Sequence, residues 1–279
     1  MAKSKVPAKD PSVAAPADTD ARSTVSRIET PKGVLASIPG VKTSILRTLV
    51  IGTAPLLVHN FSHKARQKIL DKQTGEAVGG REKKDPIANF EASRYRLFDG
   101  TDGIPAGGLK ACFVSGFDKA SGVPMTKAKG AIRVIADDEK ASPPLVRILH
   151  PVEPEEIAAE EHHVGDDYRI PYCHEGMVRN ETGVVDIRHR AMYWPWALFI
   201  AVEFLPSVTS ERQLMQAIAM SGFCNGQCEW RPGSKESKSG HLGTFRLATP
   251  EEIQAFSDGR LFADHQWPAA KQKGRLKAA

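Results

Sequence analysis

The stretch Gly222 to Leu247, GFCNGQCEWRPGSKESKSGHLGTFRL, constrains the chain more than any other. Two short apolar runs flank a middle rich in glycine, lysine and serine, so the stretch reads as a pair of strands around a long loop. Gly222, Gly226, Gly233, Gly240 and Gly243 let the backbone pass close to a neighbour, because a residue without Cβ tolerates positive φ and close approach. Among them lie Trp230, Arg231, Lys235, Lys238 and His241. Glycine, cation and aromatic together point to a phosphate-bearing partner, while the plainer reading is a solvated hairpin loop with a charged tip.

With 279 residues, 41% hydrophobic and 25% charged, the chain has material for one large domain or two small ones and a core of ordinary size. The net charge of +5 comes from 38 basic against 33 acidic residues. That mild excess fits a nucleic-acid partner only if the cations are clustered. Four cysteines in a chain this long do not form a secreted disulfide framework, and no apolar run approaches the roughly 20 residues that span a bilayer. The expectation is a reduced, cytoplasmic protein without a membrane partner. Residues 1–38, rich in Ala, Pro, Ser, Thr, Lys and Asp, read as a disordered arm, and 266–279 as a basic tail.

Taken in order, Thr43 to Thr53 has the β-branched, nearly continuous apolar character of a central strand, stopped at Pro55. Ser62 to Gln73 reads as a short helix, Thr74 to Lys84 as a mobile loop, and Ile87 to Leu97 and Gly107 to Phe117 as helices. The entry to the last of these, GIPAGGLKAC, sets Lys110 in a first turn with unpaired amides. Ala131 to Ala136 and Leu145 to Leu149 read as a hairpin, and the acidic run Glu153 to Glu161 as a short solvated helix. Asp186 to Trp196 reads as a strand whose alternation puts Arg188, Arg190, Trp194 and Trp196 on one face. Cations and stacking platforms on one surface are how single strands are commonly held, at about 1–3 kcal/mol per stacked base; the plainer reading makes the tryptophans core. Ala197 to Leu205 is a buried strand. Ser210 and Gln213 form a capping box for a helix that Gly222 is placed to end, and Thr249 caps a final helix.

This order of strand, helix, strand pair, long insertion, strand, helix and strand is a split βαβ plan, the ferredoxin-like or RNA-recognition-motif arrangement in the α+β class. Cys224 and Cys228 lack a second close pair, so free buried thiols fit better than zinc, and neither a metal nor a cofactor is expected. No G-x-S-x-G, H-E-x-x-H or P-loop pattern occurs.

Three segments, GTAPLLVHN, IPAGGLKACF and GQCEWRPGSKESKSGHLGTFRL, resemble in that order three features of the RAMP superfamily, which includes backbone subunits of CRISPR effector complexes in antiviral defence. Those features are a first strand ending in a proline-leucine turn, an IPGSSLKG-like helix start and a C-terminal glycine-rich loop. Here Ala106-Gly107-Gly108 stands at the helix start and the loop is stretched by Lys235 to Ser239. The resemblance implies a ferredoxin-type palm over 39–265 with an inserted thumb at about 152–186. It also implies a subunit that polymerises as a homo-oligomer along single-stranded nucleic acid, with other effector subunits as further partners. It carries over Lys110 and the late loop's Gly240 and Gly243 with their neighbouring cations.

The leading expectation is a non-catalytic protein binding single-stranded RNA or DNA with little sequence preference. Lys110, Arg188, Arg190, Arg231, Lys235, Lys238 and His241 would lie along phosphates, Trp194 or Trp230 under bases, and Gly226, Gly233, Gly240 and Gly243 in the loop. Three alternatives stand beside it: a phage or mobile-element protein that coats or anneals single-stranded DNA; a metal-dependent ribonuclease using Asp85, Asp186 or His189; and a structural assembly protein whose basic loop meets another subunit.

Overall fold

The structure, a computed structural model, describes residues 40–60, 70–71, 73–75, 84–120, 122–179, 183, 185–235 and 239–267. The expected N-terminal arm, most of the Ser62 to Gln73 helix and the loop after it, Lys238, and the tail from 268 lie outside them. From Val41 onward the chain belongs to one unit.

The apolar run near the N-terminus forms β1 (Ser44–Gly52), as its β-branched residues require. It sits inside a four-stranded antiparallel sheet, between β10 (Phe245–Leu247) and β9 (Ala197–Phe204), with β5 (Ile132–Ile135) on the far side of β9. One face is covered by α2 (Ala106–Ala120) and α5 (Glu211–Cys224). Leu46, Val50, Ile200 and Val202 meet Phe113 and Phe117 of α2 and Leu214 and Ile218 of α5 in one core. The two helices approach until their backbones nearly touch: a Cβ at Gly116 would lie 2.1 Å from the Ala217 carbonyl oxygen.

A second antiparallel sheet has the order β2 (Leu56–Val58), β8 (Val185–Tyr193), β7 (Tyr172–Arg179), and a third the order β3 (Tyr95–Arg96), β4 (Asp102–Pro105), β6 (Leu145–Arg147). The first two sheets share a seam. Ile51 stands opposite Ala197 and Leu56 opposite Tyr193, so five steps on one strand match four on the other. Thus β1 with β2 and β9 with β8 run as one antiparallel ribbon with a one-residue bulge. The Gly52 amide donates to the Trp196 carbonyl at 2.9 Å across that bulge.

The seam corrects one expectation. β8 ends at Tyr193 and Pro195 interrupts the ladder, so Trp194 and Trp196 do not continue the face of Arg188 and Arg190. Trp196 is fully buried, its indole N–H donating to the Ala54 carbonyl at 2.7 Å. Its ring fills the hollow that Gly52 leaves, 2.3 Å from where a Cβ would stand.

Other expectations also change. The helix near 87 is α1 (Pro86–Ala92), capped by the Asp85 carboxylate, which accepts from the amides of Ile87 and Ala88. It stops early because Arg94 reaches Asp102 through two hydrogen bonds and draws Tyr95–Arg96 into a strand. β5 and β6 are not a hairpin: β5 pairs with β9 and β6 with β4, while the buried Asp138 ties the turn between them by accepting from the amides of Phe98, Lys140 and Ala141. α5 begins at the expected capping box but runs two residues past Gly222, which is small because the Phe245 carbonyl oxygen lies 2.2 Å from its virtual Cβ. α3 (Met125–Ala131), α4 (Glu155–Ala158) after Pro154, and α6 (Pro250–Ser257) with its Thr249–Glu252 box complete the described elements. Among the described residues no helix is long and apolar enough to cross a membrane.

Candidate nucleic-acid interface

The glycine-rich stretch after α5 is packed rather than solvated. Its two limbs bond to each other, Gln227 N–H to the Gly243 carbonyl at 2.8 Å and Leu242 N–H to the Trp230 carbonyl at 3.0 Å. They also bond to the β2 region, through Gly243 N–H to Pro55 and Glu229 N–H to Leu57. Gly243, at φ 65°, would carry a Cβ 2.0 Å from the Gln227 carbonyl oxygen, and Gly240 one 2.5 Å from that of Arg231. These glycines admit the loop's own backbone, which explains their number without a ligand.

This docking lays the loop on one face of β8. Arg188 and Arg190 share that face, paired in register with Gly176 and His174 of β7. Arg188 is exposed. Arg190 is fully buried, its Nη1 donating to the Glu229 carboxylate and its guanidinium 5.6 Å from the centre of the Trp230 ring. His174 meets the same indole edge-on at 6.0 Å, and Trp230 remains 37% exposed. The expected union of Arg188 and Arg190 with Trp194 and Trp196 is not formed: the aromatic beside the buried Arg190 is Trp230 of the loop. Lys235 and His241 are exposed on the loop, and Arg231 is half-buried with Nη1 donating to the Cys228 carbonyl.

Trp194, 44% exposed, lies beyond the end of β8. Lys110 is separated from this cluster. Gly108, Ala111, Cys112 and Ser115 of α2 line a cavity of about 380 Å³ shared with Asn225, Gly226, Gln227, Arg231 and Gly233 of the loop. Two residues past Gly108, Lys110 projects about 200° around the helix from that lining. The helix start and the glycine loop do meet, but at Gly108 and Gln227.

Positive charge is concentrated at the buried end of the cluster. Burial and the neighbouring Arg188 lower the Arg190 guanidinium to about 10. Burial, then Arg190 and Arg188, lower His59 to about 4, although Glu229 lies 4.0 Å from its ring. His174 is lowered by burial and Arg190. A histidine that resists protonation when folded takes up a proton on unfolding, so stability falls as pH drops from 6.5 towards 4 and levels off below. His162 and His265, also lowered, act in the same sense. Urea titrations at several pH values should show this loss, and His59→Gln should make it shallower; an unchanged slope in that variant would refute His59's part.

Glu229, His59 and His174 escaped the sequence reading. Glu229 was detectable as one of only two acids in the loop segment, flanked by Cys228 and Trp230, but its target was not. The residues raised for cleavage chemistry have structural partners. Asp85 caps α1 and Asp186 pairs with Lys84, whose hydrogen bond lowers its carboxyl. His189 meets Glu175 at 3.1 Å and, three residues along a strand, faces away from Asp186. Burial pushes the Cys112 and Cys228 thiols up to about 11 and about 12, so both are neutral.

No family model matches the chain. No curated protein matches it either. Among solved structures, the chain is similar to the crystal structure of Cmr6 from Pyrococcus furiosus. The identity is 11%, the match covers 74% of this chain and 98% of that one, and the TM-score is 0.30.

Proposed function

We propose that the chain is a RAMP-like, non-catalytic protein that binds single-stranded nucleic acid across the face formed by β8 and the glycine-rich loop. The observation that carries this reading is that exposed Arg188 and buried Arg190 share one face of β8 beside the half-exposed Trp230, with Lys235 and His241 exposed on the same loop. Cations follow the backbone phosphates and the half-exposed indole offers a face to a base, an arrangement that tolerates any sequence. The palm is ferredoxin-like. Its support is the strand order β10-β1-β9-β5, with α2 following β1 and α5 following β9, which is split βαβ connectivity.

In this reading the thumb is the insertion at about 152–186, between the second and third palm strands, which supplies α4 and β7. The palm domain spans 39–265, and the arm and basic tail flank it. Copies assemble along the strand, with other effector subunits as further partners. Lys110, on the far side of α2, serves a different stretch of nucleic acid or a neighbouring copy.

Fluorescence anisotropy with labelled single-stranded RNA and DNA tests the reading. Affinity should fall linearly with the logarithm of salt concentration, and Arg188→Ala should reduce the slope by about 0.7. Trp230→Ala should weaken binding by about 1–3 kcal/mol with little dependence on sequence. Absence of binding to either strand at low ionic strength would refute the proposal, and strand annealing with a strong DNA preference would favour the recombination-protein alternative.

A further inference from the structure

Arg190 has more donors than acceptors. Of the five N–H bonds of a guanidinium, those on Nη1 are directed to Glu229, while Nε and Nη2 are closed off from solvent and have no acceptor among the described residues. Nη2 lies beside Gly176, the residue opposite Arg188, 3.6 Å from where a Cβ would stand, so that position has no side chain to supply one. The groups near the guanidinium include Glu229, the Trp230 ring, His174 and His59, whose Nδ1 atoms are also buried without a hydrogen-bond partner among the described residues, and the neighbouring cation Arg188. Arg188 has no hydrogen bond or ion pair among the described residues. Of the two arginines on this strand face, Arg190 is held by Glu229, while Arg188 stands two positions from Asp186, whose carboxyl it helps Lys84 to lower.

That carboxylate is held by a distinctive backbone. Cys228 at φ 60° and Trp230 at φ 53° are the only non-glycine residues with positive φ among the described residues, and Glu229 lies between them. Side chains rarely adopt this conformation unless the surroundings impose it, and such residues gather at ligand clamps and switches. Here the imposed conformation delivers an acid from the loop onto a buried arginine of β8.

We propose that Glu229 is an internal placeholder for a phosphate of the bound nucleic acid. A backbone phosphodiester takes its position on Arg190 Nη1, accepts also from Nε or Nη2, and is shared with Arg188, while Trp230 lifts from the guanidinium to stack on a base. A phosphodiester has the oxygens to satisfy donors that one carboxylate leaves unpaired. This rests on β8 and the loop being the nucleic-acid face, and it makes the free protein a competitor of its own ligand.

The test is anisotropy with labelled polyuridine on the full chain, comparing wild type with Glu229→Gln, which preserves shape and removes the competing charge. The variant should bind more tightly by roughly tenfold, the worth of about one charge-assisted contact. It should also melt at lower temperature alone and gain more from saturating polyuridine than wild type does. Arg190→Met in the Glu229→Gln background should abolish the gain. Glu229→Asp, which keeps the charge but draws it back by one methylene, should give a smaller gain and serves if the glutamine variant does not fold. If wild type binds no single strand, the interface itself is refuted. If wild type binds but both Glu229 variants bind equally or more weakly, the placeholder alone is overturned.

Discussion

Gly116→Val should lower the unfolding free energy by about 3 kcal/mol, the upper end of the usual cost of overpacking. The virtual Cβ at Gly116 lies 2.1 Å from the Ala217 carbonyl oxygen and 2.9 Å from the Ser221 Cβ, and the first of these is helix backbone. α2 and α5 must therefore separate, and the Phe113, Phe117, Leu214 and Ile218 cluster opens with them. Urea unfolding followed by circular dichroism reads the effect directly. A wild-type midpoint in the variant would mean that the helices slide at no cost and that the close approach is not structural. Because α2 also lines the cavity beneath the glycine loop, the variant should lose order in that loop as well.

Arg94→Met should cost about 3–5 kcal/mol, since it leaves a buried carboxylate without its principal partner. Asp102 is 3% exposed and accepts from Arg94 Nε at 3.1 Å and Nη2 at 2.6 Å, with Arg96 more distant at 3.6 Å. Arg94 also lies 5.5 Å from the centre of the Phe90 ring, so it ties the end of α1 to β4 and to the core at once. Replacing both partners, Arg94→Met with Asp102→Leu, should recover most of the loss, because no buried charge is then left unpaired. A double variant no more stable than the single would show that the pair's role is packing rather than charge compensation.

What could be read from the sequence was local. The strand at Thr43 to Thr53, the Ser210 box and the Thr249 box are set by residues within a few positions of one another, and the structure has all three close to where they were expected. Alternation along β8 also put Arg188 and Arg190 on one face. What covers that face depends on a loop some forty residues further on, so the burial of Arg190 and its capture by Glu229 had no local signal. The same reason undid the hairpin expected between β5 and β6. Each strand chose a partner distant in sequence, and the connection between them is tied by the Asp138 carboxylate and by backbone bonds of Asp137 and Asp138 to Leu145. Gly116 shows the limit most plainly: its spacing marks it as facing inward, but only the packed pair reveals that backbone rather than side chain is waiting there.

The bulged ribbon through Gly52 and Trp196 has a mechanical meaning. Two of the three strands in the sheet that presents Arg188 are direct continuations of the two central strands of the four-stranded sheet. A rigid lever results, anchored at one end in the helix-covered core and carrying the charged face at the other, with the Trp196 indole wedged at its fulcrum. A load applied to the β8 face is therefore borne by the central hydrogen-bond ladder itself rather than by a flexible linker.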